Sequence, residues 1–391
     1  MSDKGSGAHF PLANPNFLVI ERDDARLSGT TRHFPQPPLR LPSQMNSLRF
    51  PAVVAFALGV FTVTSIPIRA CLWDSDTLAM ETSRFPGVFE MITGQFPRHS
   101  NEFYVWRIDH AKRRVMQNPR DFAAYDDWAV AEHKLGRNHA AIEVMTQALV
   151  LASERYESLP NLGTFQLFAG NLTECCELLR RALRVNPDAH FGREKYQLWL
   201  AELLLRQKTA LESGRSANSG DQSPPLLGGG KLQKDLETFL KRSRLSREEG
   251  GGRSAEDAGV MSPDQRKEAV TAVLGMMRFA RHDHPLLLEA LGDLLMPGRY
   301  SADANQLAAF AYLRTSQVAD GAADQTRLHQ ISKRLITSTH GSSVSFEALS
   351  ARLESGLTEG SLLQAQVRAD ELAWIRDGKD AQVEFEKKYL K

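Results

Sequence analysis

Several residue groups in this chain could in principle do chemistry. His282-Asp283-His284 sets two imidazoles and a carboxylate side by side, which are zinc-binding donor types. A helical zinc site, however, needs His-x-x-x-His with an accompanying Glu. Spacing and glutamate are both missing, so the triplet reads as the polar lead-in to a helix opened by Pro285. Cys175-Cys176 could form a redox or metal pair, but sequence neighbours bridge only with strain. Cys71 is the one other cysteine, so there is neither a disulfide framework nor Cys-x-x-Cys spacing for structural zinc. Gly228-Gly229-Gly230-Lys231 suggests a phosphate loop. The required first glycine is Pro225, and Leu232 follows the lysine where Ser or Thr would hold magnesium. Trp73, Asp74, Ser75, Asp76 and Glu81 could serve a glycosidase, yet no second carboxylate pairs with them at helical spacing. The expectation is therefore a non-enzymatic protein with no catalytic residue, no metal and no cofactor.

Composition points the same way. The 391 residues carry a formal net charge of +1, with 42% hydrophobic and 24% charged residues, so electrostatics nominate neither nucleic acid nor anionic lipid as the main partner. The basic clusters Lys112-Arg113-Arg114 and Arg180-Arg181 alternate with Asp109, Glu174 and Glu177 and read as ordinary helix surfaces.

Residues 50–68, FPAVVAFALGVFTVTSIPI, form an uncharged apolar run between Arg49 and Arg69. Pro67 and the Thr62–Ser65 stretch weaken its far end, which suits a signal-peptide core in 50–70 better than an anchor. A retained anchor and a buried core helix are the alternatives. Ala70-Cys71 resembles a signal-peptidase site and also the end of a lipoprotein box. Because export signals sit at the N-terminus, Met45 is the expected start and 1–49 the expected unstructured lead. Localisation is then periplasmic or cell-envelope, with membrane association through 50–70 as the alternative.

Two segments match at a spacing of thirty-four residues, one from Tyr125 and one from Leu159. Trp128 pairs with Leu162, Ala129 with Gly163, Gly136 with Gly170, Ala141 with Cys175, and Ala148 with Ala182. Pro119 and Pro187 each close a unit. Small residues at 129, 163, 141 and 175 allow close helix approach, and Gly136 and Gly170 supply turns. On these residues the chain resembles the tetratricopeptide-repeat (TPR) family, of the bacterial exported type. The resemblance implies an all-α fold of helical hairpins stacked as a solenoid, with repeats at about 122–155 and 156–189.

That resemblance also implies a concave binding face lined by Asp126, Val130, His133 and Lys134 from the first repeat. Asn161, Thr164, Leu167 and Phe168 would line it in the second. Its ligand would be a protein or peptide partner, and the function that of an interaction module or scaffold outside the cytoplasm. Asp126 and Val130 stand where carboxylate-gripping relatives carry basic and amide groups, so that ligand class is not indicated.

Around the repeats, helices are expected at 85–94 and 100–119. A capping helix at 192–208, with Tyr196, Leu198, Trp199, Leu200, Leu203 and Leu204 on its apolar surface, would end a domain spanning 71–208. Ser, Gly and Pro make 209–262 a flexible linker around one short helix at 234–245. Residues 263–391 read as further helices, with Leu291-Gly292, Ala308 and Tyr312 as a degenerate TPR-like pair. The alternative function is an accessory subunit with a small-ligand pocket in that C-terminal region.

Overall fold

The computed structural model describes residues 74–75, 85–187, 193–213, 230–245, 261–296, 302–337 and 344–390. The segments 1–49 and 50–70, with Cys71, Trp73, Asp76 and Glu81, lie outside them, as does most of the linker. The described residues belong to one compact unit, Ser65–Lys391. All their regular secondary structure is helical, so the all-α class stands. Among the described residues no helix is long and apolar enough to cross a membrane.

Fourteen helices are described: α1 Val88–Thr93, α2 Asn101–Gln117, α3 Phe122–Lys134, α4 Asn138–Leu151, α5 Ser158–Phe168, α6 Leu172–Val185 and α7 Arg193–Glu212, then α8 Lys231–Leu245, α9 Pro263–Phe279, α10 Pro285–Leu295, α11 Ala302–Val318, α12 Ala322–Thr337, α13 Phe346–Arg376 and α14 Ala381–Tyr389. Local chemistry explains where they start. Asp121 accepts from the Ala124 amide at 3.0 Å to open α3, and Ser262 and Gln265 form a capping box ahead of Pro263 in α9.

The first hairpins share one geometry. From Asn138 to Leu172, and from Leu151 to Val185, α4 and α6 start and end thirty-four residues apart. Gly136 (φ 78) and Gly170 (φ 80) occupy the left-handed turn before each. There the next amide closes a six-to-one bond, Arg137 to Glu132 O and Asn171 to Gln166 O, both 2.9 Å. The same register includes α2. Its C-cap Asn118, followed by Ala152 and Asn186, has φ −136, −151 and −146 with ψ 97, 82 and 92.

Small residues sit where helices come closest. A Cβ on Gly163 would lie 3.3 Å from Leu179 Cγ, and one on Gly292 would lie 3.1 Å from the Tyr312 ring, which brings α5 onto α6 and α10 onto α11. Ala129, Ala141, Ala148, Cys175 and Ala182 are fully buried, and burial pushes the Cys175 thiol up.

Past α6 the packing does not pause. α7 lies on α6 on one side and on α9 and α8 on the other. Its Trp199 indole donates to Asp235 of α8 at 2.8 Å. A helix expected to end the stack is instead an interior layer, and one apolar core joins Cys175, Trp199, Leu232, Val273, Leu288 and Phe310. Packing therefore runs across the boundary expected between 71–208 and 263–391. At the chain's end α13 returns to α1 and α2. Gly360 lies directly on the Thr93–Gly94 backbone, and Gly356, one turn earlier, makes room for the Thr93, Gln95 and Phe89 side chains. Beyond that crossing, Glu371 accepts from the Ser100 amide at 2.8 Å and from His99 Nδ1 at 2.6 Å, with both side chains buried.

Candidate functional site

Burial decides what the expected concave face can do. Asp126, Val130, His133, Asn161 and Thr164 are buried, and Lys134, Leu167 and Phe168 are half-buried. The structure thus differs from an open groove at these eight positions, because other side chains and the C-terminal helices have taken up the contacts a peptide would make. Asp126 is held by Arg155 at 2.6 and 2.9 Å and by Asn161 Nδ2 at 3.4 Å. Burial still pushes its carboxyl up to about 7, against the pull of Arg155. His133 donates from Nδ1 to Asn138 Oδ1 at 2.8 Å and meets the Phe165 and Phe168 rings at centroid distances of 5.1 and 4.8 Å. Burial lowers it to about 4. Val130 belongs to the apolar core between α3, α4 and α5. Lys134 reaches across from α3 to donate to the Phe279 carbonyl at the end of α9.

The remaining three, Thr164, Leu167 and Phe168, come together on one cavity of about 150 Å³. Its other walls are Gln197, Leu200 and Leu204 of α7, Met276, Phe279 and Ala280 at the end of α9, and His284, Leu286 and Leu287 opening α10. Three of these twelve residues, Thr164, Gln197 and His284, are polar, so the space is mainly apolar.

Polarity at the wall is fixed by a short chain of bonds. Thr164 Oγ1 donates to the Pro160 carbonyl one turn back at 2.8 Å, a common outlet for a helical threonine. Its proton committed, the hydroxyl can only accept, and it accepts from Gln197 Nε2 at 2.8 Å. The Gln197 amide orientation follows, and its Oε1 is buried with no hydrogen-bond partner among the described residues. His284, the N-cap of α10, makes no side-chain cap bond, and its Nδ1 is likewise buried without a partner. Burial, reinforced by the Arg281 charge, lowers this imidazole to about 4, so it is neutral near pH 7.

Of the other residues singled out from the sequence, Leu200, Leu204 and His284 join the cavity. His282 packs edge-on to Phe96, and Asp283 pairs with Arg281 at 3.3 Å. Gly230 and Leu232 donate their amides to Asp293 at 3.0 and 2.8 Å, so a carboxylate from α10 holds the N-terminus of α8. Of the acidic segment at 73–76, Ser75 is tied to Asp127 by its amide at 2.8 Å. Trp128 Nε1 donates to Glu132 Oε1 one turn further along α3 at 3.1 Å, and Pro187 is exposed. Among the described residues no cluster of three or more His, Cys, Asp or Glu side chains could hold a metal ion.

Gln197, Met276 and Leu287 carried no mark in the sequence that would assign them to a site. Each sits on a helix whose period already accounts for it, and only packing brings the three helices around one space. No family model and no curated protein matches this chain.

Proposed function

We propose that this chain is a non-enzymatic, TPR-like repeat protein that works outside the cytoplasm as an interaction module or scaffold. Its partner surface is the edge made by the C-terminal turns of α2, α4 and α6, not the concave face. One observation carries the reading: large apolar residues recur on that edge in the repeat register. Met116 and Val150, thirty-four residues apart, are 82% and 80% exposed, and Leu151 and Val185, at the same spacing, are 47% and 46% exposed.

Single exposed apolar side chains are ordinary on a protein surface. A row in phase with the helical register is a patch, and patches of that kind serve contacts between proteins. Arg181 of α6 reaches the Ser153 carbonyl at 3.2 Å, which sets the α6 edge beside the turn that follows α4. Exposed Arg113, Arg120 and Arg184 border the apolar row, so an apolar partner face with an acidic rim complements it. Export of the chain rests on the apolar segment 50–68 and on Ala70-Cys71.

The test is cross-linking in the native cell envelope, comparing wild type with a Met116→Lys, Val150→Lys double variant. Both sites are exposed, so thermal stability should hold within about 0.5 kcal/mol per site. A defined protein adduct should form with wild type and be lost with the variant. An identical adduct pattern in both, or none with wild type, would end this assignment.

A further inference from the structure

We propose that the cavity between α5, α7, α9 and α10 is a binding site for a small, ring-sized apolar molecule carrying one hydroxyl or N–H group.

Size comes first. About 150 Å³ of accessible space is the volume at which an aliphatic cavity in a protein takes up benzene. Leu167, Phe168, Leu200, Leu204, Met276 and Leu287 supply apolar surface from all four helices, so a planar ring finds contacts with each of them.

Polarity then narrows the ligand. Gln197 is 4% exposed, and Thr164 has claimed its Nε2. What remains is a carbonyl oxygen with no donor among the described residues. An acceptor left in this condition is costly, and a ligand that brings it a proton recovers the loss. Rotating the amide gives no escape, because Thr164 Oγ1, whose own proton goes to Pro160, would then face an oxygen.

His284, which also lines the cavity, has a second buried polar atom without a hydrogen-bond partner among the described residues, Nδ1. A neutral imidazole donates or accepts there according to its tautomer. A hydroxyl, with one proton and two lone pairs, offers the donor that Gln197 Oε1 lacks and an acceptor for a His284 Nδ1–H. A carboxylate suits the site poorly, since it brings no proton to Gln197 and no cation lines the cavity. Phenol is therefore the probe of choice and toluene its matched control, the same ring with a methyl in place of the hydroxyl.

The experiment is isothermal titration of the full-length chain with phenol and with toluene. Expected is saturable one-to-one phenol binding, with toluene about tenfold weaker, the worth of one hydrogen bond. Leu200→Trp, which fills the space, should abolish both. Leu204→Phe is the milder filling variant should the first not fold. Gln197→Leu should retain toluene binding and erase the advantage of phenol. No saturable binding of either compound, as expected if the cavity holds only water, would overturn the proposal. So would unaltered binding in a folded filling variant, or an unchanged phenol-to-toluene ratio in Gln197→Leu.

Discussion

Replacing Gly360 by alanine probes how the end of the chain is held against its beginning. A Cβ at that position would press on the Thr93 carbonyl oxygen and lie 2.9 Å from the Gly94 carbonyl carbon and 3.0 Å from its oxygen. These are backbone atoms, and Gly94 is itself held in a left-handed turn (φ 73) that ends α1. Neither partner can rotate away as a side chain would. Relief requires moving α13 as a body, which also loosens the Gln95 Nε2 bond to the Gly356 carbonyl at 3.0 Å and the Gln364 Nε2 bond to the Arg98 carbonyl at 2.7 Å.

Overpacking of this kind costs about 1–3 kcal/mol, and the rigid obstacle places it at the upper end. Alanine returns about 1 kcal/mol through helix propensity. The net expectation is a loss of about 1–2 kcal/mol, read in differential scanning calorimetry as a fall of about 2–8 °C at about 2–4 °C per kcal/mol. Ser355→Ala, an exposed change on the same helix, is the control and should be neutral or slightly stabilising. If Gly360→Ala equals or exceeds wild type in Tm, α13 does not cross α1 at the described distance and the closure of the chain on itself is refuted.

Acid should destabilise the protein before its carboxylates titrate. His133, His282 and His284 are all lowered from 6.5 to about 4 by burial, so between those values the unfolded chain binds protons that the folded chain refuses. Stability therefore falls as pH drops from 6.5 toward 4, on the order of 1–3 kcal/mol per pH unit. Asp126, raised to about 7, opposes the trend in the same window with one proton of the other sign. Urea midpoints measured at several pH values that stay flat from 6.5 to 4.5 would contradict this burial. Glu371→Ala removes the carboxylate that accepts from the buried Ser100 amide and from His99 Nδ1, and should cost on the order of 1–3 kcal/mol; a chemical-denaturation change under 1 kcal/mol would show the pair to be dispensable. Cleavage within 214–229 should leave two fragments that co-elute in size-exclusion chromatography, because α7 shares its core with α9. Separation of folded halves without denaturant would contradict that shared core.

How much of this was legible in the sequence follows from distance along the chain. Gly136 and Gly170 could be assigned to turns because a left-handed residue between two helices has few alternatives to glycine. Leu291-Gly292, Ala308 and Tyr312 were legible only as members of one degenerate pair; that Gly292 faces the Tyr312 ring at 3.1 Å is a finding of the structure. Helix ends were less exact. α8 begins at Lys231, three residues ahead of the expected 234, because Asp293 of α10 holds its first amides and no local signal announces a cap donated by another helix. Gly356 and Gly360 passed unread for a related reason. Glycine spaced by four in a helix permits close contact, but only the partner, 261 residues away at Gln95, says that the contact is made.

The candidate site divides along the same line. Thr164, Leu167 and Phe168 were placed on one face by the repeat resemblance, which sets positions along a helix by register and needs no partner. Whether that face meets solvent, a peptide or the chain's own helices is not encoded in its period. The sequence by itself determined the helices, their turns, the thirty-four-residue register and the small residues where neighbours touch, since each depends on residues a few turns apart. Only the tertiary structure decided that α9 and α10 share a cavity with Thr164, Leu167 and Phe168, where an open groove was expected. That choice is made by apolar surfaces more than eighty residues apart, which pair by shape and area with no signature that spacing can record.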